Sequence, residues 1–277
     1  MNFEYPYYSV SRIKDFFKES EAMPRKKWGQ NFLIDPNTIQ FIWNQIPTEL
    51  VSNTKHFLEI GPGLGALTYR IFEAEKKVSV FEIDRVLIQN LKNLQLPIHK
   101  IYEGDVLETI LQIEKEEYIL VGNLPYYIST DIILTCLKNI PELKFAVFML
   151  QKEFAERICK EISSISMYVL AFGRFKYLKT ISPNCFFPKP DASSALVSFT
   201  PNEKKYSNEK ISKYELFLKS IFWGKRKTIF KSISDSPFLD SETRTYLLDF
   251  LNEEKILLNK RPEELVMEVY LKILDSI

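Results

Sequence analysis

Glycine is scarce in this chain, eight in 277 residues, where average usage of about 7% would supply about 19. Three of the eight, Gly61, Gly63 and Gly65, fall within five residues; in so glycine-poor a chain, each marks a place where the backbone has a task. Histidine is rarer still. His56 and His99 cannot form a His cluster, which excludes a histidine-rich zinc site, and no metal is expected. Cys136, Cys159 and Cys185 lie more than twenty residues apart, a spacing that fits neither a disulfide framework nor a CxxC metal site. No apolar run approaches the ~18 residues of a membrane span, and the acid-containing N-terminal stretch MNFEYPYYSVSRIKDFFKES has no apolar export core. No membrane partner and a reducing cytoplasmic location are therefore expected. Charge of one sign is also missing. A net charge of +1 excludes a protein basic all over, so any nucleic-acid surface must be local. What is there is a chain 45% hydrophobic and 26% charged, with enough apolar matter for a sizeable core and too little net charge for wholesale disorder.

Residues 1–23 form an aromatic-rich lead-in with one short helix around Arg12–Ser20. Asp35-Pro36 is a helix start signal, and that helix stops near Pro47. From residue 56 strands and helices alternate. Strands are expected at 56–60, 77–83, within 97–105, at 117–123 and at 144–150, with helices at 66–74, 84–94, from a Ser129 or Thr130 cap to Lys138, and at 151–162. Such alternation implies a parallel sheet with helices on both faces. Residues 174–181 and 192–200 read as later strands, an antiparallel edge. The polar stretch 201–210 is the candidate linker, and helices are expected beyond it at 211–222, about 225–234, 241–252 and 262–275.

The chemistry gathers at the strand ends. Glu59-Ile60-Gly61-Pro62-Gly63-Leu64-Gly65 is a glycine turn between strand and helix, which lets a ligand approach the backbone closely. Alone it could serve a dinucleotide, a nucleoside cofactor or only a tight turn; the missing Gly-Lys-Ser/Thr disfavours a phosphate-loop NTPase. Glu82 ends the next strand, about 20 residues on, where an acid can accept from ribose hydroxyls. Gly104-Asp105 ends the third, and Asp105 could accept from an exocyclic adenine amine, with Ile83 and Val106 placed to sandwich the ring. Each acid alone could be a solvated strand end. In order, on successive strand tips, they describe a nucleoside site, since ligands of open α/β sheets bind at the carboxyl ends of strands.

The fourth strand ends in Gly122-Asn123-Leu124-Pro125-Tyr126. This resembles the (Asp/Asn/Ser)-Pro-Pro-Tyr signature of S-adenosylmethionine-dependent amino-methyltransferases, in the Leu variant of the ribosomal RNA adenine N6,N6-dimethyltransferases. An adenine amine is a poor nucleophile because its lone pair is delocalised into the ring. An Asn side-chain oxygen and a backbone carbonyl can accept both N–H bonds and favour a more tetrahedral nitrogen. Tyr126 can stack on the extruded base. Other segments resemble the same family. Lys26-Lys27-Trp28-Gly29-Gln30-Asn31-Phe32-Leu33 is similar to the N-terminal segment that covers the methionine end of the cofactor, implying contacts from Asn31 and Leu33. Phe148–Glu153 is similar to the fifth-strand motif. Phe186-Phe187-Pro188-Lys189-Pro190 is similar to the Phe-x-Pro-x-Pro loop, implying that Phe186 stacks on the target adenine opposite Tyr126. Trp223–Thr228 and Arg261–Leu265 are similar to two C-terminal motifs of the family. The resemblance spans about residues 24–275.

It implies an α/β fold, a Rossmann-like class I S-adenosylmethionine-dependent methyltransferase domain at 24–205, and a small all-α C-terminal domain at 206–277 facing RNA. It implies no metal. The family has a small-subunit branch, which dimethylates two adjacent adenosines near the 3′ end of 16S rRNA, and an Erm-type branch acting on one large-subunit adenosine. Asn-Leu-Pro-Tyr, Gly-Gln-Asn-Phe-Leu, Lys-Arg-Lys-Thr and the near-neutral charge favour the former. A non-catalytic assembly or transcription factor on the same fold is the reading from another class, and the intact Asn31, Glu82, Asp105 and Asn123 argue against it. Departures from the family pattern are Tyr127, where Asn is common, the stretch 163–168, and Asp191-Ala192. Positive charge is local, in Arg25-Lys26-Lys27 and in Lys219, Lys225, Arg226, Lys227 and Lys231. A solvated helix face is the plainer reading of Lys219 and Lys231; Lys225, Arg226 and Lys227, like Arg25, Lys26 and Lys27, are expected to hold phosphates. So weakly basic a protein suits an assembled pre-30S particle better than naked RNA, with a monomer expected.

Overall fold

The computed structural model describes residues 5–25, 28–94 and 96–277. By packing, the chain divides into two units. One runs up to Ala155 and resumes over Phe175–Pro201; the other comprises Glu156–Arg174 and Asn202–Ile277.

The first unit carries a sheet. Its strands are β1 (Phe32–Leu33), β2 (His56–Ile60), β3 (Lys77–Glu82), β4 (Lys100–Glu103), β5 (Tyr118–Asn123), β6 (Leu143–Gln151), β7 (Gly173–Ile181), β8 (Phe186–Phe187) and β9 (Ser194–Pro201). Among the described residues the main sheet has the order β4-β3-β2-β5-β6-β9-β7. Neighbours from β4 to β6 are parallel, and β9 returns antiparallel to β6, as the sequence led us to expect. β2 is buried at every position, as suits a strand covered on both faces and written as an apolar run.

The helices α1 (Val10–Glu19), α2 (Pro36–Asn44), α3 (Thr48–Asn53), α4 (Ala66–Glu73), α5 (Arg85–Asn93), α6 (Val106–Thr109) and α7 (Ser129–Asn139) precede α8 (Lys152–Lys160). Asp35 caps α2 by accepting from Thr38 N at 2.8 Å, and Asp84 caps α5 through Val86 N at 2.9 Å. The expected Ser129 or Thr130 cap of α7 is not made. Ile128 is the N-cap and gives no side-chain bond, because the Ser129 hydroxyl donates to Tyr126 O at 3.2 Å instead.

Parallel register decides where the chemistry sits. Ile60 pairs with Phe81 and with Gly122, Glu82 with Glu103, and Asn123 with Met149. The C-terminal tips of β2, β3, β4 and β5 therefore end at one edge of the sheet. The chain winds outward from β2 to β4, then resumes on the other side of β2 with β5. That reversal opens a crevice, the usual ligand position in open α/β sheets.

The second unit is helical: α9 (Ser164–Val169), α10 (Asn208–Phe222), α11 (Ile229–Ser234), α12 (Ser241–Glu253) and α13 (Met267–Ser276). The fully buried Tyr214 of α10 donates to Met167 O at 3.3 Å, and Tyr168 donates to Glu215 Oε2 at 3.2 Å. These bonds, with the buried Met167, Val169, Phe217 and Leu218, tie α9 to the C-terminal helices. The linker expected at 201–210 shrinks to 202–207, since β9 reaches Pro201 and Ser207 caps α10. The helix expected from about 225 starts at Ile229, capped by Thr228, and Arg226 before it has a left-handed backbone (φ 66°).

Candidate active site

The strand tips enclose an open cleft of about 800 Å³. Asn31, Gly61, Gly63, Glu82, Ile83, Asp105, Val106 and Asn123 all line it, as does Pro125. Of the residues expected around the cofactor, Leu33 is the exception. It is buried and lines a smaller adjoining cavity, which shares Asn31, Gly61, Gly63 and Asn123 with the cleft.

Each polar group is held from behind. Glu82 is 6% exposed. Its Oε1 accepts from Ile83 N and Asp84 N, both at 2.9 Å, and its Oε2 from Gly63 N at 3.2 Å. One carboxylate thus fixes both the β3 tip and the glycine turn. Asp105 caps α6, with Oδ1 accepting from Leu107 N at 2.9 Å. Asn123 donates from Nδ2 to Asn31 O at 3.0 Å, and Asn31 donates from its own Nδ2 to Gly29 O at 3.0 Å. Asn123 Oδ1 is therefore the atom left for a ligand N–H. Gly63 has φ +59°, and a Cβ there would lie 3.1 Å from the Phe32 ring, so a side chain would both strain the turn and press on the segment that covers it. At Gly122 a Cβ would meet Leu124 Cδ2 at 2.9 Å. Only glycine lets Leu124, 1% exposed, fold back under the Asn123 loop.

The residues expected to grip a target base stand apart from the cleft wall. The Tyr126 hydroxyl lies 2.6 Å from Ser194 Oγ, which ties the half-buried ring to β9. Phe186 is 3% exposed, pairs with Leu33 across β1 and β8, and belongs to the hydrophobic core. Tyr127, in contrast, lines the cleft and is 63% exposed.

Three contributors were not foreseen. Gln30 accepts from Arg25 N at 2.6 Å and donates to Asp84 Oδ2 at 2.7 Å, fastening the cover segment to the β3 tip. Its place within the Gly-Gln-Asn-Phe motif was the available signal. Trp28 and Phe32 join the cleft wall; both belong to the same motif.

The basic candidates divide. Arg25 stacks on Trp28 (4.4 Å to the ring centre) and its Nε lies 3.8 Å from Asp84. Lys26 and Lys27 lie outside the described residues. In the helical unit Lys227 pairs with Asp235 at 3.1 Å and covers Trp223, Lys231 pairs with Asp235 at 3.1 Å, and Lys219 pairs with Glu215 at 2.8 Å. The stretch 219–231 has no acid, but Glu215, four residues before Lys219, and Asp235, four after Lys231 and eight after Lys227, reach into it from either end. Lys225 and Arg226 are exposed and border a shallow depression with Arg261, Glu263 and Glu264.

Two buried carboxyls shape the electrostatics. Burial pushes Glu59 up to about 8 and Glu82 up to about 7. Glu59, 2% exposed, accepts from the Thr68 hydroxyl of α4. A carboxyl whose folded pKa lies above its ordinary 4.5 contributes stability that is full below 4.5 and lost as pH rises through about 8. Glu59→Gln keeps the neutral shape and the acceptor for Thr68. It is expected to lie close to the wild type near pH 5 and to exceed it by about 4 kcal/mol near pH 9. Urea unfolding of both proteins at the two pH values reads this directly; parallel pH curves would place Glu59 in the ionised state.

Acceptors on adjacent strand tips, apolar walls between them and a glycine turn that a Cβ would fill suit a nucleoside cofactor whose hydroxyls and amine are donors. Fold and site together define a Rossmann-like class I methyltransferase. Solved structures with this fold include a dimethyladenosine transferase from Plasmodium falciparum (TM-score 0.71, 25% identity, covering 87% of this chain and 95% of that one) and the 23S rRNA methyltransferase ErmE (TM-score 0.66, 23% identity, 88% and 98%). The profile of the ribosomal RNA adenine dimethylase family matches residues 22–274, and the chain belongs to that family. It is 33% identical over 270 residues to the ribosomal RNA small subunit methyltransferase A of Malacoplasma penetrans, covering 95% of each chain. The protein is thus a ribosomal RNA adenine methyltransferase that uses S-adenosylmethionine.

Proposed function

We propose that this protein dimethylates the N6 amines of two adjacent adenosines near the 3′ end of 16S rRNA, acting as a cytoplasmic monomer on a pre-30S particle. The observation that carries the reaction is Asn123. Its Nδ2 is committed to Asn31 O, so its Oδ1 is presented at the tip of β5 to accept from an amine. The choice of subunit is supported by the small-subunit name of the relatives; the ErmE likeness, at 23% identity, speaks for the fold alone.

S-adenosylmethionine, when bound, supplies a methyl group made electrophilic by its sulfonium. Everything else falls to the chain. Glu82 and Asp105 would hold the ribose and the adenine, with Ile83 and Val106 against the ring. Asn31, Leu33, Gly61 and Gly63 would bound the amino-acid end. Asn123 Oδ1 and a backbone carbonyl of the Leu124-Pro125 loop would accept both N–H bonds of the target amine and turn its lone pair outward. Positioning of this kind supplies the rate without a protein base, and the amine proton leaves to solvent after transfer. Tyr126 and Phe186 would grip the extruded base, which for Phe186 requires β8 to part from β1. Lys225, Arg226 and Lys227, with Arg25, Lys26 and Lys27, would hold phosphates, and we take 24–205 as the methyltransferase domain and 206–277 as the RNA-facing one.

Purified 30S and 50S particles lacking these methyl groups, supplied with labelled S-adenosylmethionine, test the proposal. Label is expected in 30S particles only, at up to four methyl groups per particle; label confined to 50S particles would move the protein to the large-subunit branch, and none in either would favour a non-catalytic role.

A further inference from the structure

Two tyrosines follow the Asn123-Leu124-Pro125 turn, and they part. The Tyr126 hydroxyl lies 2.6 Å from Ser194 Oγ on β9. Tyr127 instead lines the cleft with Ile83, Asp105 and Val106. In the sheet β9 lies on one side of β5, and β4, which leads into Asp105, lies on the other. α7 begins two residues after Tyr127 and packs on α6, which Asp105 caps, so Tyr127 comes to the Asp105 corner of the cleft. Its phenol is pushed up by partial burial and then by the Asp105 carboxylate. Tyr126 thus leans to the target side of the β5 tip and Tyr127 to the nucleoside side.

Tyr127 is 63% exposed and, among the described residues, makes no hydrogen bond, ion pair or ring contact. Ile83, at the tip of β3, is 42% exposed in the same cleft. Apolar surface left bare in a concave site marks a groove that a ligand covers. At this corner the ligand must also meet Asp105, whose Oδ1 is spent on Leu107 N and whose Oδ2 takes no bond among the described residues. An adenine satisfies both demands. Its faces suit Ile83 and Val106, and its amine edge donates to Asp105. That edge would face water were it not for Tyr127. An aromatic ring beside it lowers the local dielectric, which strengthens the hydrogen bond to Asp105, and meets the base edge-to-face, a favoured arrangement of aromatic rings. Asn, common at this position in the family pattern, has no ring to do either.

We infer that Tyr127 walls the open edge of the adenine pocket, shielding the hydrogen bond between Asp105 and the amine of bound S-adenosylmethionine, and so sets how tightly this chain holds the nucleoside half of its cofactor. This rests on reading the cleft as the S-adenosylmethionine site, and the test separates the two.

Calorimetry on the full chain with two ligands decides. S-adenosylhomocysteine carries nucleoside and amino-acid end; 5′-methylthioadenosine has the nucleoside alone. Tyr127→Asn is expected to weaken both by the same factor, about tenfold, the loss of one ring packed against a base. Tyr127→Phe keeps the ring and is expected to bind both like the wild type. The ligand-free Tm of Tyr127→Asn should equal or exceed that of the wild type, since the ring is exposed and unpartnered. With Asp105→Ala already in place, Tyr127→Asn should cost S-adenosylhomocysteine less than about threefold, because the shielded bond is gone. Unchanged affinity in Tyr127→Asn overturns the inference, and a raised KM for small subunits in the same variant would give the ring to RNA. Loss confined to S-adenosylhomocysteine, full additivity with Asp105→Ala, or a lowered ligand-free Tm would each overturn it as well, while the cleft stands. Failure of the folded wild type to bind either ligand would overturn the cleft assignment and the inference with it.

Discussion

Asn123→Ala is expected to lower kcat for methyl transfer roughly 10²–10³-fold, the usual cost of losing a preorganised group aimed at the reacting centre, while the Kd for S-adenosylmethionine rises less than about tenfold. The split follows from the two ends of one amide. Nδ2 makes a single bond, to Asn31 O, and losing one such bond costs about 1 kcal/mol, a small change in how the cover segment sits. Oδ1 is the acceptor that the amine needs at the moment of transfer, when its lone pair must leave conjugation with the ring. Leu124 and Gly122 stay packed beneath, so the loop keeps its course. Single-turnover methylation of small subunits with saturating cofactor measures the effect. A rate near that of the wild type would end the lone-pair argument.

The second large effect is on cofactor binding. Glu82→Gln is expected to weaken S-adenosylmethionine about 100-fold, although the two side chains have the same shape. Glu82 accepts three backbone N–H bonds, two on Oε1 and one on Oε2. An amide has only one acceptor oxygen. Kept on the Ile83 and Asp84 side, it turns an NH₂ toward Gly63 N, donor against donor, and toward ribose hydroxyls that want an acceptor. Turned the other way it orphans two N–H groups at the β3 tip. The wild type adds a pH signature. Burial raises this carboxyl to about 7, and the ionised form is the better acceptor, so affinity should climb as pH rises from 6 to 8 while the Gln variant lacks that component. Calorimetry at both pH values reads affinity and slope together; coincident curves for the two proteins would take Glu82 out of the cofactor site.

Much of this could be read from order along the chain. Strand tips bearing a glycine turn, Glu82, Asp105 and Asn123 became one cleft because parallel strands in register bring their C-terminal ends to one edge. Nothing in the local sequence shows what stands behind each group. Gln30 holds Asp84 from 54 residues away, and Asn123 reaches Asn31 across 92. The bare basic run 219–231 promised free cations, yet Asp235 lies just past its end and takes two of them. Phe186 reads as a surface stacking residue until β1 covers it.

The sequence by itself determined the class of fold, the order of the strand tips and the chemistry each offers, because periodicity, strand-end residues and turn glycines act over a few neighbours. Tertiary structure decided which oxygen of which carboxyl is spent on the backbone, which amide end of Asn123 faces outward, which carboxyls burial raises, and that Phe186 is covered by β1. Those are matters of burial and of hydrogen bonds between distant segments, and they exist only once the sheet has brought the segments together.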